Sequence, residues 1–262
     1  MRVIALAALL LPLTACDTRL TLQEVCESNP KMCADVALTG WCVKERSQVI
    51  WTRYEHKDSD RHTLYNELIA LENYVKCMEK ATMIENRLVA KERETARIES
   101  YMSSQKSLKK LQNSTSEDTS PYITFYRWTR LNDTKALGQF LQSERNGELN
   151  TVELKQFAAS YYSRANPQKA VDYLLDTLNE LPYPSVDTYL ELSQEYMNLD
   201  QPVQAYLFAK LIARHQPELV NEQRLSLLAA SAGVKRTKLD EKAEQIDELL
   251  EEGKFKPESL KL

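Results

Sequence analysis

Between His62 and Gln112 the chain contains neither proline nor glycine. A run so free of helix breakers permits a single helix of up to roughly 75 Å at about 1.5 Å per residue. Its first half is amphipathic, with Leu64, Leu68, Leu71, Val75 and Met78 at three- and four-residue steps. The second half, "AKERETARIESYMSSQKSLKKLQ", is mostly charged. Ile84, Leu88, Ile98 and Met102 keep a loose heptad-like spacing that Lys91 and Thr95 interrupt. The expectation is therefore a long solvated helix with partial packing on its neighbours rather than a sustained coiled coil.

The rest of the chain is consistent with an all-α protein. Only five glycines occur among 262 residues, and charged residues make up 27%, mostly strong helix formers. Residues 17–120 carry 16 basic and 17 acidic side chains, and residues 121–262 carry 17 and 21. Neither half is a basic surface, so nucleic acid is not an expected partner. Residues 113–120, "NSTSEDTS", read as a linker between two domains, 16–112 and 121–262. Ser120-Pro121 places an N-cap before a proline at the first helical position.

At the other end, Arg2 precedes an apolar run, Val3 to Leu13, that is too short for an ordinary transmembrane helix and reads as a signal peptide over residues 1–15. Leu13-Thr14-Ala15-Cys16 resembles the bacterial lipobox. That resemblance implies a mature chain starting at Cys16, with the Cys16 thiol as the lipid attachment point. It also implies a protein anchored in the cell envelope, facing the periplasm, without spanning the membrane. Asp17, directly after that cysteine, favours the inner membrane in enterobacterial lipoproteins.

An exported location changes how the other cysteines are read, because exported cysteines are usually paired. Cys26 and Cys33 are centred on Asn29-Pro30, a turn signal, and Cys42 and Cys77 on Ser59-Asp60, inside the polar break "HKDSDRH". Helical hairpins folded at those turns would bring each pair face to face. The expected bridges are therefore Cys26 with Cys33 and Cys42 with Cys77, with the stripe beside Cys77 packing on Val49 and Ile50. A zinc site would want close C-x-x-C pairs, and none is present, so no metal is expected.

In the C-terminal half the chain aligns with itself at a step of 35 residues. The step pairs Leu154 with Tyr189, Phe157 with Leu192, Ala158 with Ser193, Tyr161 with Tyr196, Ala170 with Ala205, and Pro182 with Pro217. That order resembles the tetratricopeptide repeat, and Asn166-Pro167 and Asp200-Gln201-Pro202 supply the turn between the two helices of each unit. Ala158 and Ser193 stand where the family has glycine, and Thr177 and Ile212 where it has a small residue late in the second helix. Upstream, "YITFYRWTRLNDTKALGQFLQSE" reads as a degenerate hairpin containing Ala136 and Phe140. Downstream, two more helices separate near Gly233, the last suited to a polar-faced cap. The resemblance implies a tetratricopeptide-like α-solenoid whose concave surface is lined by the first helix of each unit. Carried over by register, a partner-binding groove would be formed by Lys155, Ala159, Tyr162 and Ser163 with Leu190, Gln194, Met197 and Asn198. Tyr162 and Met197 would be its anchors, and Tyr161 and Tyr196 would belong to the core.

No constellation in the sequence suggests catalysis. His56, His62 and His215 lie in polar contexts without metal spacing, and no phosphate-cradling glycine loop or nucleophile elbow occurs. No cofactor is expected. Across its whole length the chain also resembles an uncharacterised gammaproteobacterial lipoprotein family described only as a domain of unknown function, a likeness of layout that implies no activity. The expected role is that of a membrane-anchored scaffold or adapter for an envelope protein or peptide. The alternative is an envelope hydrolase or small-molecule binder with dispersed site residues.

Overall fold

A computed structural model of the chain describes residues 20–36, 40–55, 60–84, 91–180 and 185–262, the side chains of 91–93 excepted. Among the described residues there are thirteen α-helices, two short 3-10 segments and no strand. Within each unit, most consecutive helices pack on one another. The chain forms two compact units, the first ending at Glu117 and the second beginning at Asp118. No helix among the described residues is long and apolar enough to cross a membrane. Cys16 and Asp17 lie outside the described residues, as does His56.

The first unit contains α1 (Leu22–Ser28), α2 (Pro30–Cys33), α3 (Val43–Glu55), α4 (Arg61–Thr82) and α5 (Lys91–Ser114). Thr21 and Glu24 form a reciprocal capping box at the start of α1, and the Asp60 carboxylate caps α4 by accepting from the His62 amide. Both expected disulfides are present, with Cα–Cα distances of 5.7 Å for Cys26–Cys33 and 5.9 Å for Cys42–Cys77. The second joins the start of α3 to the last third of α4. Between these helices Leu64, Leu68, Leu71, Val75 and Met78 are buried, as are Val49 and Ile50. The Arg53 guanidinium bonds the Met32 carbonyl at 2.7 Å, Asp35 at 2.6 and 2.9 Å, and Glu67 at 3.0 Å, tying the α1–α2 region to α3 and α4.

The proline- and glycine-free span is not one helix. Helix α4 ends at Thr82, and α5 returns along it. Arg97, only 3% exposed, donates from Nη1 to the Ala81 carbonyl at 3.1 Å and lies 5.4 Å from the centre of the Trp41 ring. A cation at the carbonyl end of a helix satisfies groups that would otherwise lack partners and complements the helix dipole. Folding back also buries Tyr74, whose hydroxyl bonds the Ser100 hydroxyl at 2.8 Å.

The second unit contains α6 (Pro121–Leu131), α7 (Thr134–Arg145), α8 (Val152–Ala165), α9 (Pro167–Thr177), α10 (Val186–Asn198), α11 (Pro202–His215), α12 (Glu222–Ala232) and α13 (Arg236–Glu251). Side chains of Asp133, Thr151, Asn166, Ser185 and Asn221 cap helix starts, and Pro121, Pro167 and Pro202 occupy first helical positions. Ser120 sits at the N-cap of α6, but its side chain makes no cap bond, and its buried Oγ lacks a partner. Gly233 ends α12 at φ 64°, a left-handed conformation that an L-residue with a Cβ would adopt only with strain. Ala136 and Phe140 are buried in the α6–α7 hairpin.

The apolar core of this unit runs from Ala159 in α8 through α13 to Leu260 and includes Leu174, Leu192, Phe208, Leu211, Leu239 and Ile246. A smaller aromatic cluster joins α6, α7 and α8, with Phe125 stacked on Phe157 at 3.9 Å. Tyr196 is buried and stacks on Phe208 at 5.8 Å, as expected of a core residue. Tyr161 is only half-buried, edge-on to Trp128 at 5.4 Å.

Candidate functional site

Helices α8 and α10 border a groove. Two hydrogen bonds with the same sequence step cross it: Gln156 Nε2 donates to the Thr188 hydroxyl at 3.2 Å, and the Ser163 hydroxyl donates to Glu195. Both join residues 32 apart, so the helices run side by side in a fixed register. Between them lies a pocket of about 300 Å³ lined by Ala159, Ser160, Ser163, Arg164, Glu191 and Glu195, with Leu174 of α9 also contributing.

The electrostatics of this groove come from α10. Asp187, Glu191 and Glu195 recur every four residues, one helical turn apart. Glu195 is 6% exposed and held by Ser163 and by Asn198, whose Nδ2 donates to it at 3.2 Å. Glu191 reaches solvent at the pocket. Partial burial, followed by the charges of Asp187 and Glu195, nevertheless raises its carboxyl above the ordinary range. Arg164 is the one cation among the lining residues.

The residues assigned to the groove by register are distributed as follows. Ala159 and Ser163 line the pocket, and Ala159 is 2% exposed. The Lys155 ammonium is paired with Asp176 at 2.6 Å and also bonds Glu180. Leu190 is partly buried against the main core. Gln194, Met197 and Asn198 are exposed, Met197 by 41%, and Gln194 donates to Asn198 at 3.2 Å. Tyr162 belongs to a partly buried polar joint. Its hydroxyl donates to Glu144 of α7 at 2.7 Å and accepts from Lys169 of α9 at 2.9 Å, and Lys169 Nζ lies 4.1 Å from its ring centre. Tyr173 also donates to Glu144, at 2.7 Å, and Lys169 pairs with it at 2.5 Å. Burial alone would raise the Glu144 carboxyl, but these three donors outweigh it and hold it below the usual carboxylate range.

Ser160, Arg164, Glu191 and Glu195 were not assigned by register. The four-residue repeat of carboxylates on α10 was visible in the sequence as a signal, but helical carboxylates are ordinarily solubilising. His215 is exposed and is joined through Nε2 to Asp247 at 2.9 Å. Among the described residues the one His, Cys or carboxylate group close enough to share a metal is Cys42, Glu45 and Cys77, and its two sulfurs are joined as a disulfide.

A family model described as a protein of unknown function (DUF2989) matches residues 13–210. No curated protein and no solved structure matches the chain significantly.

Proposed function

The chain belongs to the DUF2989 family, and from that premise we propose that it is a lipid-anchored envelope scaffold that holds a basic polypeptide segment in the groove between α8 and α10. The observation that carries this reading is the pair Glu191 and Glu195 along one wall, with Asp187 one turn before them and Glu191 raised by its surroundings. A carboxylate under like-charge pressure in a partly desolvated groove is relieved by a bound cation, so a Lys- or Arg-bearing segment complements it. The hydrogen bonds that fix α8 against α10 keep the groove formed before a partner arrives, which lowers the cost of binding.

Tetratricopeptide-like organisation is consistent with this. Helices α8–α9 and α10–α11 are the two units of the 35-residue step, and α8 and α10, the first helix of each, line the groove. The exported, lipid-anchored part of the reading is supported by Leu13-Thr14-Ala15-Cys16 and by two disulfides, bonds that persist in oxidising compartments. The protein acts by binding rather than by catalysis.

The test is crosslinking from the groove in the native envelope, with a photoreactive residue at Ser160. A single partner, crosslinked through a basic segment and lost in Glu191→Lys, is the expected result. Crosslinks unchanged by Glu191→Lys would refute the groove. Separately, Cys16→Ser is expected to abolish lipid labelling and membrane retention, and a lipidated Cys16→Ser protein would refute the anchor.

A further inference from the structure

A second pocket, of about 230 Å³, lies on the far side of α10 from the groove, where α10 meets the ends of α11 and α13. Its apolar lining is Val186, Leu250 and the Tyr189 ring, and its polar lining includes His215, Asp247 and Glu251. We propose that this pocket is a binding site for a small alkylammonium group, with the Glu251 carboxylate and the Tyr189 hydroxyl as its acceptors. The proposal is independent of the groove and of the anchor.

Tyr189 is the first observation. It is 2% exposed, fixed in the core against Phe208 at 6.0 Å, and its ring centre lies 6.1 Å from that of His215. Its hydroxyl makes no hydrogen bond with a described residue and is not fully buried, so the oxygen meets solvent at the pocket. A phenol held this firmly, with its oxygen open to a pocket and unpartnered, is a preorganised ligand group.

The charge of the pocket is the second. Asp247 is already satisfied: one oxygen is taken by His215 and the other by Arg214 Nε at 3.1 Å. Glu251, one turn further along α13, makes no hydrogen bond or ion pair with a described residue and remains a free carboxylate. The Tyr189 phenol feels both acids, since burial and then the charges of Asp247 and Glu251 raise its pKa. Helix α11 ends at His215 and α13 at Glu251, so two helix C-termini, each partially negative, border the same space. The N-terminal turn of α10 also borders it through Val186, but there the Ser185 side chain already caps the Thr188 amide.

A cation is therefore favoured over an anion, and the apolar walls favour one carried on a short aliphatic stem. At roughly 30 Å³ per water-sized group the space takes about seven non-hydrogen atoms, enough for the five of a butylammonium or the six of a pentylammonium. The ammonium would donate to Glu251 and Tyr189, and the stem would lie against Leu250 and Val186. A lysine side chain and a free aliphatic amine share this chemistry.

The experiment is calorimetric and ligand-observed NMR titration of the purified full chain at pH 7 with n-butylammonium, its neutral counterpart 1-butanol, 1,5-diaminopentane and Nα-acetyl-lysine amide. Butylammonium is expected to bind about tenfold more tightly than 1-butanol. Glu251→Gln should weaken it by about tenfold and Tyr189→Phe by about threefold, the scale of hydrogen bonds to a charged group. Glu251 is exposed and phenylalanine keeps the Tyr189 packing, so neither change threatens the fold. Glu218→Gln, a carboxylate outside the pocket, should change nothing. Preference for acetyl-lysine amide would assign the site to a polypeptide, and preference for the diamine to a free amine; either upholds the ammonium class. Equal binding of butanol and butylammonium, undiminished binding by Glu251→Gln, or no binding of any amine at tens of millimolar would overturn the proposal.

Discussion

Ser163 on α8 donates its hydroxyl hydrogen to Glu195 on α10, 32 residues further along the chain. That bond, with its companion from Gln156 to Thr188, makes the base of the groove a fixed polar seam. It satisfies the most buried of the three α10 carboxylates and leaves Glu191 exposed at the pocket, where Arg164 of α8 is the one lining cation.

Glu191→Gln should therefore stabilise the free protein. A carboxyl raised in the folded state contributes stability that is fully present below its unfolded pKa and lost as pH rises through the folded value. At pH 7 the charged group is a net cost, and removing the charge should raise the melting temperature by about 1–3 °C. Below about pH 4 the difference should vanish, because the wild-type group is then protonated. Thermal melts of both proteins from pH 3.5 to 7.5 check this, and a lower melting temperature for Glu191→Gln at pH 7 would count against the electrostatic description of the groove.

Glu144 joins α7, α8 and α9 through Lys169, Tyr162 and Tyr173. Glu144→Ala removes the shared acceptor and strands two phenols and an ammonium in a partly buried space, at a cost of about 2–4 kcal/mol. Tyr162→Phe deletes one bond and keeps the stacking on Tyr173, and should cost about 1 kcal/mol. Denaturant titration ranks the two. Near-equal losses would mean that Tyr162 carries the joint alone.

The disulfide pairing, the Asn166-Pro167 helix start and the Gly233 break were legible in the sequence because each has a local cause, a turn dipeptide or a residue suited to positive φ, whereas Ser120, read as an N-cap, makes no cap bond. The α4–α5 hairpin was not legible. No proline or glycine marks it, and its stabilising contacts are distant, from Arg97 to the Ala81 carbonyl and from Tyr74 to Ser100. The buried face of α5 is Arg97, Ser100, Ser104 and Leu108, while Ile98 and Met102, which carried the heptad-like spacing, are 42% and 63% exposed. Apolar periodicity points to the wrong face when a helix packs through small hydroxyl residues and a buried cation. The same limit applies at the groove and the second pocket. A carboxylate every fourth residue reads as a solvated face, and nothing local in the sequence connects Tyr189 with Glu251 or His215 with Asp247.

The Arg53–Asp35 pair should make the first unit acid-sensitive. Burial raises Asp35, but the hydrogen bonds and charge of Arg53 outweigh it and leave the carboxyl below its ordinary value. A depressed carboxyl contributes stability above its unfolded pKa, about 3.9, and loses it as pH falls through the folded value. Asp35→Asn should lower the stability of this unit at pH 7 by about 2–3 kcal/mol, since it also leaves Arg53 with one acid fewer in a nearly dry site. The deficit should shrink below pH 4, and hydrogen exchange of peptides from α3 and α4 at pH 7 and pH 3.5 measures it. A deficit independent of pH would point to packing rather than charge.

The two disulfides should differ in what they hold. In the chain-entropy account the stabilisation grows with the loop closed. The sequence separations are 7 for Cys26–Cys33 and 35 for Cys42–Cys77, which correspond to about 2 and about 4 kcal/mol respectively. The longer bridge also holds α3 against the stripe of α4, whereas the shorter one closes a local turn. The Cys42→Ala, Cys77→Ala double variant should therefore loosen residues 43–82 broadly, and the Cys26→Ala, Cys33→Ala variant should loosen only residues 22–36. Neither should change protection in 121–262, because both bridges lie within the first unit. Hydrogen exchange read peptide by peptide on the two double variants makes the comparison. Equal and global loss of protection in both would show that the two units unfold together and that the bridges do not act on separate parts of the chain.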